Sequence, residues 1–305
     1  MMQQMLLGLG AVLGDPMGNV RFTMCAGGGA AGSSYSVTHN NTKACGGGGA
    51  GGYIDSYGGG PGNHNDLLLL TLTSYTVTIG AHATAYATNG SNTSITGTDV
   101  NGNLSVTAIG GGGGGHGGST SSSDLDGKTG GSGGGGGCVA GPYNGAGGSG
   151  TSGQGEQGAQ GTASASYPWY CSEPWGASFT QCVGYPGTNR GGGGAGPGST
   201  GSWTMANGYS GGGLGAANYI TGNYVWRCGG GRAAAGGTHD GWDGSGAGGG
   251  PHPQDPYGKD GILILRYSNA YTISNPGGGL TIATTTYVGD KISQITAGTG
   301  VIEFA

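Results

Sequence analysis

The chain has 305 residues, of which 82 are glycine, and a formal net charge of −5. More than a quarter of its positions lack a side chain, which excludes an ordinary core of large apolar residues. Only nine residues are basic and they form no cluster, so nucleic acid is not an expected partner, because phosphate binding depends on grouped Lys and Arg. No stretch approaches the ~20 apolar residues of a membrane span, so no membrane span is expected.

The aromatic content nevertheless indicates an ordered protein. The chain has 16 Tyr, five Trp and three Phe among its glycines, whereas disordered segments are poor in aromatics and carry a high net charge. Ordering glycine has a high entropic cost, which close packing of the backbone must offset. Extended helices of three residues per turn, hydrogen-bonded side by side as in polyglycine II, are the expected arrangement.

Residues 1–109 form the first part of the chain. Residues 1–18 begin with a short apolar run, MMQQMLLGLGAVLG, and are predicted to be an anchoring or assembly segment. A cleaved signal peptide and an ordinary first strand or helix are the alternatives. Residues 19–109 are predicted to be rich in β-strand and to contain the first glycine runs. Alternation in Asn19–Met24 and the β-formers of Leu67–Ile79 predict two strands there.

Residues 110–260 are predicted to form a glycine-rich bundle with aromatic and polar inserts. Between Gly155 and Gly161 glycine falls on every third residue, the spacing of a three-residue helix packed on one side. Residues 261–305 contain three further predicted strands, at Gly261–Tyr267, Leu280–Val288 and Gly300–Phe304. The predicted fold is mainly β, with almost no α-helix. A β-sandwich or β-roll base from both chain ends would carry a polyglycine II-like bundle with long loops.

The sequence contains fragments of several catalytic and binding motifs, but none has the context that its chemistry requires. Gly148–Gly153 and Gly153–Gly158 match the dinucleotide fingerprint without a surrounding strand, turn and helix. Gly130–Gly134 and Gly208–Gly212 match a nucleophile elbow outside any hydrolase sheet. Gly127-Lys128-Thr129 resembles the end of a phosphate loop whose first glycine is missing. We therefore expect no enzymatic activity and no cofactor.

Metal binding and disulfide formation also have candidates. His239–Asp243 and Asp99–Asn103 hold oxygen ligands at spacings that calcium could use, but turn-forming Asp and Asn explain both segments better, and no metal is expected. None of the six cysteines forms a C-x-x-C pair. Cys171 and Cys182 are the closest pair in sequence and the best disulfide candidate, with small buried thiols as the alternative.

The aromatic side chains of the inserts are the candidate recognition residues. The densest cluster is set on prolines in the longest insert, and three further tryptophans occupy later inserts. Rings beside polar rims suit recognition of a sugar or an outer surface, although the same rings could instead cap the end of the bundle. The candidates are Tyr167, Trp169, Tyr170, Trp175, Trp203, Trp226 and Trp242.

From about Val20 to Phe304 the chain resembles the glycine-rich domain family of bacteriophage tail, fibre and adhesin structural proteins. The resemblance rests on ACGGGGAGGY at 44–53, SYTVTIG at 74–80 followed by NGSNTS at 89–94, TAIG at 107–110 and GILILRY at 261–267. The closing KISQITAGTGVIEF at 291–304 is similar as well. The resemblance implies a virion structural protein, with loops between polyglycine II helices that contact the host surface in tail-tip adhesins.

These features together predict a non-enzymatic virion component of a tail, fibre or surface, involved in host attachment or assembly. Expected partners are other virion proteins, a host receptor or glycan, and copies of the chain itself, with a trimer favoured because fibres of the resembling class are often trimeric. A secreted cell-surface or matrix protein is the alternative. An ice-binding protein is less favoured, because ice requires a flat and regular face.

Overall fold

The computed structural model describes residues 14–33, 43–58, 60–61, 64–119, 121–139, 143–161, 194–198, 203–204, 210–231, 246–250 and 256–305. The fold is mainly β, as predicted, and the helix in these ranges is a single turn, α1, at Ser122–Leu125. The strands are β1 (Arg21–Cys25), β2 (Lys43–Ala44), β3 (Tyr53–Asp55), β4 (Tyr75–Thr78), β5 (Thr93–Asp99), β6 (Gly102–Ala108), β7 (Cys138–Val139), β8 (Trp203–Thr204), β9 (Ser210–Gly211), β10 (Ala216–Asn218), β11 (Val225–Arg227), β12 (Ile262–Ser268), β13 (Ile273–Ser274), β14 (Leu280–Tyr287) and β15 (Asp290–Phe304).

Nine of these strands form one antiparallel sheet, in the order β3-β1-β12-β15-β4-β5-β6, with β13 and β14 also paired to β15. The 15-residue strand β15 joins the two halves of this sheet. Its first part pairs with β12 and β14, and its last part pairs with β4 and β13. Strands from both ends of the chain are therefore hydrogen-bonded neighbours, as the pairing of β1 with β12 shows.

The expectation that no ordinary core of large apolar residues forms is wrong for the sheet, which is buried on both faces around β1 and β12 because the apolar residues are concentrated in its strands. Alternate residues of these strands point in opposite directions, so Phe22 and Leu263 lie in one core and Cys25 and Ile264 in another. The larger core also contains Val77 of β4 and residues of β5 and β6, because the two halves of the sheet face each other. The smaller core is covered by the β10–β11 hairpin.

Glycine segments outside the sheet are hydrogen-bonded to one another with a period of three residues. Segment 45–52 directs successive backbone groups to different neighbours. The N–H groups of Gly46, Gly49 and Gly52 donate to the carbonyls of Gly115, Gly112 and Ile109 on one neighbouring segment. The N–H groups of Gly48 and Gly51 donate to Gly249 and Gly246 on a second segment. The carbonyls of Gly47 and Ala50 accept from the N–H groups of Gly135 and Ser132 on a third, and all seven distances are 2.7–3.0 Å. This is the pattern of three-residue helices packed side by side.

The predicted three-residue spacing between Gly155 and Gly161 is confirmed. The N–H groups of Gly158 and Gly161 donate to the carbonyls of Gly148 and Gly145, both at 2.9 Å. The two segments run antiparallel, and glycine is required at position 158 by a third segment, because an added Cβ there would lie 2.1 Å from the Gly134 carbonyl oxygen.

The predicted strand Leu67–Ile79 is wrong over its first half. Only β4 is extended and paired as a strand, while Thr71 and Leu72 form a turn in which Leu72 has a φ of 52°. The preceding leucines do not alternate with polar residues and instead bridge to the segment before β1, with Leu67 paired to Val20. The other predicted strands are confirmed at or within a few residues of their expected bounds, although β15 begins ten residues earlier than predicted.

The segment Asp99–Asn103, weighed above as a calcium site, is the tight turn of the β5–β6 hairpin. The Asp99 carboxylate accepts a hydrogen bond from the Asn101 backbone N–H at 2.8 Å, and Gly102 has a φ of +114°. These are the roles of turn-forming residues, which confirms the turn interpretation. The described ranges contain no group of three or more His, Cys, Asp or Glu side chains placed to hold a metal.

Candidate functional site

Three aromatic side chains lie on one face of the β10–β11 hairpin. Ala217 is opposite Trp226 in the hairpin register, and residues two apart on a strand share a face. Tyr219 and Tyr224 therefore point to the same side as Trp226. We call these three residues the aromatic platform.

The platform combines exposure with mutual ring contact. Tyr219 is 54% exposed and Tyr224 is 52% exposed. Their ring centroids lie 4.9 Å apart with planes inclined by 44°, and the Trp226 ring meets Tyr224 edge-on at 5.8 Å. Each ring limits the motion of the next, so the platform presents a fixed apolar surface at a low entropic cost.

A cleft of about 310 Å³ lies beside the platform. The cleft is an open groove and not an enclosed cavity. Tyr224 and Trp226 form its aromatic wall, and small or rigid residues form the remainder of the described lining. These are Gly60, Pro61, Pro197, Gly198, Leu214, Gly215, Ala216 and Ala217. Pro197, Gly215, Ala216 and Ala217 are buried, so the exposed part of this lining lies at Pro61, Gly198 and Tyr224.

A buried polar cluster fastens the hairpin to the sheet. The Asn218 side-chain amide of β10 lies within hydrogen-bond distance of Thr23 Oγ1 and Tyr53 Oη at 2.7 Å, and of Asp55 Oδ2 at 2.9 Å. The Tyr53 hydroxyl also donates to Asp55 Oδ2 at 2.9 Å. Burial raises the pKa of Tyr53 well above its usual range and the nearby Asp55 charge adds to this, so the hydroxyl keeps its proton and remains a donor.

The tip of the hairpin rests on a neighbouring part of the sheet. The Gly222 N–H donates to the Tyr219 carbonyl at 2.8 Å, which closes the turn, and Gly222 has a φ of +86°. A Cβ at this position would lie 2.6 Å from the ring of Tyr287 on β14. The Arg266 guanidinium lies over the Tyr287 ring, with its Cζ 5.3 Å from the ring centroid. The Arg266 Nε forms an ion pair with the Asp290 carboxylate at 2.7 Å. The platform is therefore supported at its base and at its tip.

The structure places only some of the predicted recognition residues. Trp226 lines the cleft, and the backbone of Trp203 belongs to β8, which pairs with β9. Tyr167, Trp169, Tyr170, Trp175 and Trp242 lie outside the described residues, as do Cys171 and Cys182 and the segment His239–Asp243. A recognition role for these residues stays a prediction.

Sequence reasoning missed Tyr219 and Tyr224. The signal was present in ANYITGNYVW, where a Thr-Gly-Asn turn separates two short runs with aromatics at alternate positions. The pattern is short and lies between glycine runs, so it is a weak local signal.

Two kinds of motif fragment can be placed in the described part of the chain. Ser132 of the predicted elbow fragment is fully buried within the glycine bundle, whereas a nucleophile elbow presents its serine to a cleft. The residues of the two dinucleotide-like fragments lie in extended bundle segments and a turn rather than before a helix. In the ranges that the structure covers, no helix has the length and apolarity needed to cross a membrane.

Comparison of the chain with protein-family models, with curated proteins and with solved structures finds no match in any of the three.

Proposed function

We propose that this protein is a non-enzymatic structural component of a bacteriophage virion, and that its aromatic platform and cleft bind a glycan of the host surface. The observation that carries the binding proposal is the placement of three adjacent aromatic rings, two of them half exposed, of which Tyr224 and Trp226 line a cleft.

Sugar rings fit this surface chemically. The C–H faces of a pyranose are apolar and stack on tyrosine and tryptophan, while its hydroxyl groups require hydrogen-bond partners at the rim. Tyr224 lines the cleft and Tyr219 lies beside Tyr224, so their hydroxyl groups could supply these partners, whereas the Gly198 N–H already donates to the Leu214 carbonyl.

The composition of the cleft favours binding over hydrolysis. Glycoside hydrolysis uses a pair of carboxylates on either side of the scissile bond. No carboxylate, His, Cys or Lys is found among the described residues that line the cleft. A bound glycan would therefore be retained rather than cleaved, as attachment requires.

The virion assignment is supported by the resemblance of the sequence and by the division of roles within the chain. Glycine segments commit their backbone groups to one another and offer no side chains, so recognition depends on hairpins and inserts. The β10–β11 hairpin is such an element, and the sequence on both sides of it is rich in glycine.

The binding proposal is tested by measuring the affinity of the purified protein for oligosaccharides. A glycan array would first identify a ligand, and calorimetric titration would then compare the wild type with Tyr224→Ala. We expect affinity to fall about tenfold or more, because an exposed stacking ring contributes on the order of 1–2 kcal/mol at a binding site.

Tyr143→Ala is the matched control, since Tyr143 is similarly exposed but does not line the cleft. It should bind like the wild type. Equal affinities for the wild type and Tyr224→Ala, or no glycan binding at all, would contradict a role for the platform. Mass spectrometry of purified phage particles tests the virion assignment separately, and absence of the protein from particles would favour the secreted alternative.

A further inference from the structure

Two buried cysteines lie at the junction between the platform hairpin and the central sheet. Cys25 is the last residue of β1, and Cys228 directly follows β11. Both side chains are fully buried in the smaller core, and the Cys228 thiol is hydrogen-bonded with that of Cys25. The end of the hairpin and the end of the sheet strand thus bring two sulfur atoms together.

Gly246 shows how closely the two side chains converge. A Cβ built at this glycine would lie 2.9 Å from the Cys228 sulfur and 3.2 Å from the Cys25 Cβ. The space beside Gly246 is therefore bordered by both cysteine side chains and by the Ala26 carbonyl oxygen, 2.6 Å from such a Cβ, and the φ of +77° at Gly246 also favours glycine. Sulfur atoms held at hydrogen-bond distance, on strand ends fixed by the surrounding sheet, need only a small movement to form a bond.

The backbone of Cys228 provides an independent observation. Its φ is 60°, in the left-handed region that favours glycine, and it is followed by Gly229, Gly230 and Gly231. In a stretch where glycine is abundant, a position whose backbone conformation favours glycine carries a cysteine. Such a conformation costs free energy, and a bond made by the Cys228 sulfur would offset that cost.

We propose that Cys25 and Cys228 form a disulfide when the protein folds in an oxidising medium, and that this bond ties the platform hairpin to the central sheet. With oxidised glutathione as the oxidant, one thiolate attacks a glutathione sulfur and displaces one reduced glutathione. The second thiolate attacks the mixed disulfide, the Cys25–Cys228 bond forms, and the second reduced glutathione leaves. Two protons leave the cysteines, and two electrons reduce the glutathione disulfide.

The bond forms during folding rather than after it. Burial raises the pKa of Cys228 well above its ordinary value, so its thiolate is rare in the folded protein. Glutathione has no open path to side chains that are fully buried. Oxidation therefore belongs to the stage before the hairpin closes over the sheet.

The positions of Lys and Arg make the test direct. Trypsin releases Cys25 in peptide 22–43 and Cys228 in peptide 228–232, while Cys45 falls in 44–128 and the other three cysteines in 129–190. The full chain is refolded with reduced and oxidised glutathione, alkylated and digested without reduction. We expect peptide 22–43 joined to 228–232, with a mass two hydrogens below the sum of the two peptides.

Cys45→Ala is the control, because it removes another buried thiol and leaves the proposed pair intact. It should yield the same joined peptide. Recovery of 22–43 and 228–232 as separate alkylated peptides, or either one joined to a different peptide, would overturn the proposal.

Thermal unfolding with and without dithiothreitol gives a second measurement. Cys228→Gly removes the thiol and relieves the positive-φ strain, so this variant is expected to fold. Reduction should lower the Tm of the wild type by about 5 °C more than that of Cys228→Gly, because a cross-link closing a long loop restricts the unfolded chain. An equal effect of reduction on both proteins would count against the disulfide. The peptide analysis does not depend on glycan binding, so this inference and the proposed function can fail separately.

Discussion

At the residue scale, Cys45 shows how burial couples stability to pH. It follows β2 directly, is buried beside the pairing of β2 with β7, and has its pKa raised by burial from 9.0 to about 11. The folded state therefore resists ionisation of this thiol, while the unfolded state ionises near pH 9. The contribution of the protonated Cys45 thiol to the free energy of unfolding is fully present below pH 9 and is lost as the pH rises through about 11.

We predict that Cys45→Ala is less sensitive to alkaline pH than the wild type. Between pH 8 and 11 the wild type should lose about 2–3 kcal/mol of unfolding free energy more than the variant. Urea unfolding across this pH range measures the difference, in which the common effects of other titrating groups cancel. Parallel pH profiles for the two proteins would show that the thiol does not titrate as its burial requires.

At the element scale, the glycine bundle depends on contacts too close for any side chain. A Cβ at Gly48 would lie 2.1 Å from the Gly29 carbonyl oxygen, within backbone that is hydrogen-bonded on several sides. We predict that Gly48→Ala destabilises the protein by about 3 kcal/mol or more, because separating two backbones breaks the hydrogen bonds between them.

Gly277→Ala is the matched control for this substitution. A Cβ at Gly277 would meet nothing within 4 Å, and its φ is not in the left-handed region. Its effect on the free energy of unfolding, measured by urea denaturation, should be within about 0.5 kcal/mol. Similar midpoints for both variants would mean that the bundle accommodates side chains and is looser than its hydrogen bonds indicate.

The platform hairpin offers a second test at this scale. Gly222 and Gly289 have nearly the same backbone conformation, with φ of +86° and +83°, but only Gly222 packs against a ring, that of Tyr287. Substitution by alanine imposes the same local strain at both positions. Gly222→Ala should therefore cost about 1–2 kcal/mol more than Gly289→Ala, through displacement of the hairpin tip. Equal losses of unfolding free energy would show that the tip is not held by Tyr287.

At the scale of the whole molecule, self-association is the remaining prediction. β14 pairs only with β15 in the described sheet, and most of its residues are exposed. An accessible strand edge is suited to pairing with another chain. We expect light scattering to give three times the 29.3 kDa chain mass, constant across micromolar concentrations. A stable monomer over that range would contradict the expected trimer.

The predictability of the fold follows from the range over which each signal acts. The alternation in β1 and the β-formers of β12 and β14 are local patterns, and these strands lie close to their expected places. The leucines of residues 67–70 do not alternate with polar residues, so the local sequence does not show that they lie outside the strand. They take up their positions because the segment before β1 supplies partners for their backbone groups.

The sequence by itself determined a mainly β protein whose glycines pack as three-residue helices, because the spacing of side chains along a strand or helix is a local property. Only the tertiary structure decided which segments meet. The Asn218 side chain donates a hydrogen bond to Tyr53, which is 165 residues away in the sequence. The side chains of Cys228 and Cys25 likewise come together in the smaller core. These approaches depend on the hydrogen-bond register among many extended segments. Glycine carries no side chain to mark that register, so the folded backbone alone specifies it.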